Sequence, residues 1–330
     1  MLEKEALKHL EKAKNLLAFS GGVDSTALYH LLLKKRIPFD IALVNYGTRI
    51  QSDEEEAYAK ELAARDGKRV FIQKCTVEKS GFEHKARNAR YRFFGEIVEK
   101  EGYKNLITAH QLDDMLEWAL MQLCKGAGCV ELIGMEPVEK RDAFTLVRPL
   151  LYTPKKELLN FLDRESIRYF IDESNHSDRF KRNRIRKEAA SYLMQECADG
   201  IARSFKYLKK DKEKLLPEAK TLFSKMELAI LKKPQNETAA IRIIDKELKK
   251  KGYILSAAQK DEIVKSRSVV IGGEWAVEIS NDLIWIAPYR TANMPKEFKD
   301  RCRRCGIAPK VRPYIFEEEF SEELFSLFGC

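Results

Sequence analysis

Residues 20–26 read Ser-Gly-Gly-Val-Asp-Ser-Thr and lie between an apolar run, Asn15–Phe19, and a helix-patterned stretch, Thr26–Lys35. A strand end, a glycine turn and a helix start in that order form an anion cradle. Gly21 and Gly22 let the backbone approach a phosphate closely and present its N–H groups. Ser25 and Thr26 open the helix, whose unpaired amides and dipole favour negative charge. No lysine precedes the serine, so this is not the GxxxxGK(S/T) P-loop. A second constellation runs Thr108-Ala-His110-Gln-Leu-Asp113-Asp114-Met-Leu-Glu117. His110, Asp114 and Glu117 are spaced to share one helical face, with Asp113 beside them. Acidic residues in a first turn ordinarily complement the dipole. A histidine and a second strand end facing the same crevice point further, to a metal–nucleotide site. Mg²⁺ wants carboxylate oxygens, and Asp24 with Asp113 or Asp114 are the donors at hand. Two basic pairs join these groups: Arg87 and Arg90, three apart on a helical pattern, and Arg182 and Arg186, four apart in Arg-Asn-Arg-Ile-Arg. Each can be a solvated helix face or a phosphate contact.

The elements that must position these residues alternate. Apolar runs at Asn15–Phe19, Asp40–Asn45, Arg69–Gln73, Asn105–Thr108 and Phe144–Val147 are separated by helical patterns near Thr26–Lys35, Asp53–Asp66, Phe82–Lys100 and Leu112–Leu123. Repeated βα units predict an α/β fold, a doubly wound and mainly parallel sheet of Rossmann-like type, with ligands bound beyond the carboxyl ends of the strands. The polar motifs after Phe19, Asn45 and Thr108 all fall at such ends. Past Pro149 the pattern changes. Helices are expected at Thr153–Arg164, Arg184–Tyr207, Tyr207–Lys220 and Thr238–Lys251, the last stopped by Gly252. Ser268–Pro288 reads as a small β-meander with Gly-Gly and Asn-Asp turns. A catalytic domain over 1–205 and a mainly helical second domain over 206–330 with a small antiparallel sheet are the expected division.

With 330 residues, 44% of them hydrophobic, the chain can bury a sizeable core in two domains. No run of 18 apolar residues occurs, which excludes a helical membrane span, and Met1–Asn15 has no apolar signal-peptide core. Seven dispersed cysteines give an odd set, which predicts a reducing, cytoplasmic setting and no disulfide framework. The net charge of +9 favours a polyanionic partner. It is concentrated in Arg179–Lys214, with 12 Lys/Arg against 5 Asp/Glu, and in Lys296–Arg312, with 7 against 2. Two separated basic segments fit a long nucleic acid better than a small anion. Lys209, Lys210, Arg303 and Arg304 are the candidate contacts.

SGGVDST resembles the SGGxDS signature of the N-type ATP pyrophosphatases, the PP-loop superfamily, which cut ATP between its α and β phosphates to adenylate a substrate. The longer set is more specific. SGGVDST at 20–26, VNYGTR at 44–49, ARNARY at 86–91, TAHQLDDMLE at 108–117, KGAG at 125–128, IGM at 133–135, RPLL at 148–151, Asp172–Asn175 and Arg182–Arg186 together resemble the tRNA(Ile)-lysidine synthetases. Weaker similarity continues through Val269–Ile286 and Phe298–Pro313. The resemblance implies that ATP and Mg²⁺ are used to join free lysine to C2 of the wobble cytidine of an isoleucine tRNA with a CAU anticodon, through an adenylated cytidine. It implies ATP held by Ser20, Gly21, Gly22, Val23, Asp24, Ser25, Thr26 and His110. Asp24, His110 and Glu117 would be catalytic, and lysine would be bound by Glu117 with Arg182 or Arg186. Arg87 and Arg90 become candidate tRNA contacts. A membrane partner is not expected, and monomer and homodimer stay open.

Three positions depart from the family pattern. Asn45 and Tyr46 stand where histidines are usual, with Tyr46 able to stack on a base, and Met115 replaces the usual glutamine. Cys302-Arg-Arg-Cys305, with Cys124 and Cys129, invites a rival reading, since related enzymes thiolate tRNA through persulfides or an iron–sulfur cluster. One CxxC gives two ligands where a cluster or zinc wants more. A noncatalytic tRNA binder with a relic nucleotide fold is the third reading. The carboxylates at 24, 113, 114 and 117 argue against it.

Overall fold

Leu16 and Leu17 are fully buried in β1 (Asn15–Ala18) and feed opposite cores, as alternation along a strand dictates. β1 is an inner strand of a six-stranded sheet formed with β2 (Asp40–Asn45), β3 (Val70–Lys74), β4 (Asn105–Ile107), β5 (Val138–Lys140) and β6 (Thr145–Val147). The order is β3-β2-β1-β4-β6-β5, with every pairing parallel except β5 with β6. Helices cover both faces, so the strands are near-continuous apolar runs. On one side Leu28 and Leu32 of the Val23–Lys34 helix pack with Leu158, Phe161 and Leu162. On the other, Phe94, Ile97 and Val98 pack against Leu16 and Leu106. The chain leaves β1 for β2 on one side and later enters β4 on the other. That places the topological switch, and hence the crevice, at the carboxyl ends of β1 and β4.

The computed structural model describes residues 1–47, 51–75, 82–141, 143–171, 181–215, 219–280 and 282–329. Arg49 of VNYGTR, the 172–175 motif and Asn281 of the expected turn lie outside them. Two compact units divide at Lys210/Asp211, within the helix Ser191–Leu215 that also contains the expected boundary at 205. In the second unit a five-stranded antiparallel sheet runs β7 (Thr221–Lys225), β8 (Leu228–Lys232), β11 (Leu283–Pro288), β10 (Trp275–Ser280) and β9 (Ser268–Ile271). Trp285 faces one helical layer over 296–328, while Ile284 and Ile286 face the other over 237–266.

Three local expectations change. The helix after β1 begins at Val23, with Gly22 as its extended cap, so Ser25 and Thr26 sit inside the first turn. Helical segments run from Lys181 to Leu215 without a break at Tyr207; they include a π-helical turn at Arg186–Ala190, and two helices meet across a kink at Cys197. The second sheet is larger than the meander 268–288, because β7 and β8 join it through β11.

Candidate active site

A cavity of about 370 Å³ opens at the switch point. It is lined by Ser20, Gly22, Val23, Asp24 and Ser25 after β1, by Tyr46 after β2, and by Thr108, His110 and Asp114 after β4. Arg87 and Arg90 reach it from the Phe82–Glu101 helix, and Lys155 from the start of the Lys155–Arg164 helix. Five of the seven residues of the 20–26 turn therefore face one space, together with His110.

The turn is shaped by its own hydroxyls. Ser25 Oγ accepts from Ser20 N–H at 3.2 Å, and Thr26 Oγ1 donates to Gly21 O at 3.1 Å. Gly21 has φ +73° and lies against Phe170, which also donates its N–H to Gly21 O at 2.9 Å. A side chain at 21 would be both strained and crowded. Gly21 and the buried Thr26 thus hold the cradle from behind and do not line it. The N–H groups of Val23, Asp24 and Ser25 stand at the helix start, where intrahelical acceptors are lacking, and these three residues line the cavity.

Asp24 has one buried carboxylate oxygen, Oδ1, with no hydrogen-bond partner. Burial, with Asp114 and Asp113 adding to it against Lys155, pushes its pKa up to about 7. An orphaned, partly desolvated carboxylate oxygen beside a phosphate cradle is what a hard cation would satisfy. The other two proposed ligands are committed elsewhere. Asp113 does not line the cavity; its Oδ2 accepts from the Lys155 amide at 3.0 Å, clamping one helix start to another. Asp114 accepts from Gln111 N–H at 3.2 Å in a capping box and from Arg182 Nη2 at 2.6 Å. Among the described residues no three His, Cys, Asp or Glu side chains form a metal cluster.

His110 precedes the Leu112–Leu123 helix and is not on its face. Its Nδ1 is 2.9 Å from Thr108 Oγ1, and burial lowers its pKa to about 4, so the ring is neutral near pH 7. Glu117, only 1% exposed, lies further along the helix and does not line the cavity. Its carboxylate receives Arg182 Nε at 2.7 Å and Arg186 Nε and Nη2 at 2.5 and 3.1 Å. Arg182 bridges Glu117 to Asp114, and Asp114 lines the phosphate cavity. A buried carboxylate whose partners are two guanidiniums thus stands next to the residue that lines the cavity.

Sequence reading missed Lys155 and Phe170 as parts of this site and gave Thr108, at the head of the 108–117 constellation, no role. Lys155 had a signal, the Thr-Pro helix start before it, but its place depends on Leu112 N–H donating to Thr153 O at 3.1 Å. Asn45 is internal: its side-chain amide donates to Asp53 and Glu56. Tyr46 lines the cavity with its hydroxyl donated to Ala86 O at 2.9 Å. Met115 is buried in the core, so its side chain replaces packing and not a site contact.

The basic segments are partly neutralised internally. Lys209, mostly buried, pairs with Glu5 at 2.5 Å, which removes it as an open phosphate contact. Arg303 pairs with Asp300, and Arg301 is held bidentately by Glu322. Lys210 and Arg304 are exposed. Cys302 is a fully buried free thiol, and burial pushes its pKa up to about 11, away from reactivity. Cys305 is disulfide-bonded, and not to Cys302, where the sequence predicts no disulfide framework. Cys302→Ser should cost about 1–3 kcal/mol of stability, read by urea unfolding, because a hydroxyl replaces a core thiol. The cavity chemistry should be untouched, and loss of activity in the folded variant would count against this placement.

Residues 2–193 match a PP-loop domain. The tRNA(Ile)-lysidine synthase of Wolinella succinogenes is 43% identical over 317 residues, covering 96% of this chain and 97% of that one. The Helicobacter pylori enzyme of the same name is 44% identical, covering 96% and 93%. Among solved structures, the U34-tRNA thiolase NcsA from Methanococcus maripaludis, with its 4Fe-4S cluster, has a TM-score of 0.51 at 18% identity over 63% of this chain and 75% of that one, a likeness of fold alone. No helix of the described residues is long and apolar enough to cross a membrane. Identity of this degree along nearly the full length of both chains in each pairing settles the relationship: the chain belongs to the tRNA(Ile)-lysidine synthase family.

Proposed function

We propose that this chain uses ATP to join free lysine to C2 of the wobble cytidine in an isoleucine tRNA with a CAU anticodon. One observation carries the assignment of roles. The Glu117 carboxylate, whose present partners are the cations Arg182 and Arg186, adjoins the Ser20–Ser25 cradle through Asp114. Two reactants of opposite charge can be held side by side, which is what a two-step ligation needs.

In the first step the cytidine O2 attacks the α-phosphorus and pyrophosphate leaves. The amides at the start of the Val23–Lys34 helix, with Lys155 and neutral His110 as donors, receive the developing phosphate charge. Thr108 orients the His110 ring and leaves its other nitrogen for a phosphate oxygen. Asp24, with its uncommitted oxygen, would hold Mg²⁺ together with phosphate oxygens of ATP. Such a cation supplies charge neutralisation on the leaving pyrophosphate. Arg87 and Arg90, which line the cavity, contribute positive charge toward either ATP or tRNA phosphates. In the second step the ε-amine of lysine attacks C2, the C2–O bond breaks and AMP leaves. Glu117 receives the ammonium in place of a guanidinium as Arg182 or Arg186 swings aside, and its carboxylate takes the proton that the nitrogen must lose to attack. The cavity lining contains no cysteine among the described residues, which favours ligation over the thiolase reading.

Incubation with ATP, labelled lysine and total tRNA tests this. Lysine should become attached to one isoleucine tRNA through C2 of cytidine; label confined to 3′ ends, or sulfur transfer in its place, would overturn it. The second unit and the end of the Ser191–Leu215 helix are proposed to hold the tRNA body through Lys210 and Arg304. Each phosphate contact contributes about 0.7–0.9 to the slope of log affinity against log salt. Lys210→Gln with Arg304→Gln should therefore reduce that slope by about 1.5 and leave ATP affinity unchanged. An unaltered slope would mean that both cations are merely solvated.

A further inference from the structure

Trp118 follows Glu117 on the Leu112–Leu123 helix and stands one turn beyond Asp114 on the same face. Of the three tryptophans, Trp275 and Trp285 are buried in the second sheet, whereas Trp118 keeps 37% of its surface exposed. The ring is nonetheless fixed. Its Nε1–H donates to Glu131 O at 3.2 Å. The ring also lies on Gly134, where even a methyl group would come within 1.9 Å of Nε1 and 2.2 Å of Cε2. Gly134 is therefore required by the approach of the indole. The Lys125–Met135 segment, which contains the KGAG and IGM motifs, folds back beneath the ring.

The indole's polar edge is satisfied by main chain and part of the ring is seated on backbone, while the remainder stays exposed on the helix that carries Asp114 and Glu117. An aromatic held this way loses little rotamer freedom when it is covered, so its contact energy is retained on binding. Single-stranded bases are recognised by stacking on such rings, with cations beside them for the backbone. Lys125, just past the end of the same helix, is exposed and supplies one.

We propose that Trp118 is a stacking platform for an unpaired RNA base next to the one that reacts, with Gly134 as its seat. The proposal rests on the reading that RNA is the substrate, and it assigns the face on which the single-stranded loop lies.

The test uses the full chain and a hairpin RNA carrying a CAU loop, at fixed salt. Tryptophan emission of the wild type should be quenched by the RNA, since Trp118 is the exposed indole and the other two are buried. Trp118→Leu should abolish the quench and weaken RNA binding about tenfold, the contribution of one stacked base. Trp118→Phe should keep binding within about threefold. ATP affinity should be the same in all three, which reports an intact site even if the leucine variant packs less well on Gly134. Emission that does not move at saturating RNA, or a leucine variant that binds RNA as tightly as the wild type, overturns the platform. A wild type that joins lysine to tRNA while showing either of those results overturns the platform alone. Failure of the wild type to join lysine at all overturns the substrate reading.

Discussion

Asp24→Asn should lower tRNA-dependent exchange of pyrophosphate into ATP by about 10²–10³-fold, the usual loss when one preorganised charge contact to a reacting group is removed. Asp24 offers a buried, unpartnered oxygen at the phosphate cradle, and asparagine keeps its shape without the charge. The same variant should be more stable than the wild type in the absence of ligands, in a pH-dependent way. The pKa of Asp24 rises from 3.8 to about 7 in the fold, chiefly by burial. Between these values the folded chain keeps a proton that the unfolded chain releases. Stability therefore falls as pH rises through that window, and the loss is complete above about pH 7. The shift corresponds to roughly 4 kcal/mol at full burial, and solvent in the open cavity screens it to about 2 kcal/mol. Urea unfolding at pH 8 should show Asp24→Asn more stable by that amount, with no difference near pH 3. Equal stability at pH 8, or wild-type exchange, would remove Asp24 from this role.

Glu117→Gln should slow lysine transfer by about 10²–10³-fold while pyrophosphate release slows by less than about tenfold. Glutamine keeps the volume and some hydrogen bonding, but two guanidiniums and an incoming ammonium lose their shared anion. Adenylated tRNA should accumulate, with pyrophosphate appearing before lysine-tRNA in a single-turnover assay. Because a broken buried ion pair can cost about 3–5 kcal/mol, thermal unfolding and ATP binding must accompany the kinetics. Equal slowing of both signals in a folded variant would assign Glu117 to adenylation and displace the lysine site.

The parts of this site that the sequence reveals are those where local chemistry suffices. Strands β1, β2 and β4 are apolar runs because both faces of a parallel sheet are covered, and the Leu112–Leu123 helix begins and ends where its pattern does. The 20–26 turn is legible because a positive-φ glycine, a glycine cap and two hydroxyls must be adjacent in the chain to close it. What stays hidden is fixed by approach across long sequence separations. Lys155 and Phe170 reach the cradle through bonds their own N–H groups make to Asp113 Oδ2 and Gly21 O, and Lys155 also through Leu112 and Thr153. Periodicity shows that Arg182 and Arg186 share a face, but it cannot show that the face meets Glu117. β7 escaped because it is an exposed edge strand, whose residues lack the apolar alternation that burial imposes on inner strands. Charge counts misled at Lys209, whose partner Glu5 is distant in sequence.

The π-helical turn at Arg186–Ala190 has a bearing on how this chain can change over generations. The N–H of Ser191 donates to Arg186 O, five residues back, so the turn holds one residue more than regular helix would. Deleting any one residue between 187 and 190 would let the helix close regularly. The residues before and after it would keep nearly their present bearings, because the extra residue is spent within a single turn. Phe205 and Ala190, packed against Leu112, Met115 and Leu116, fix the later part, and Arg182 and Arg186 would stay close to Glu117. A deletion in a regular stretch of the same helix would instead turn everything before it by about 100° and carry both arginines off Glu117. Descendants of this sequence can therefore lose one residue at these few positions at little cost to the pairing.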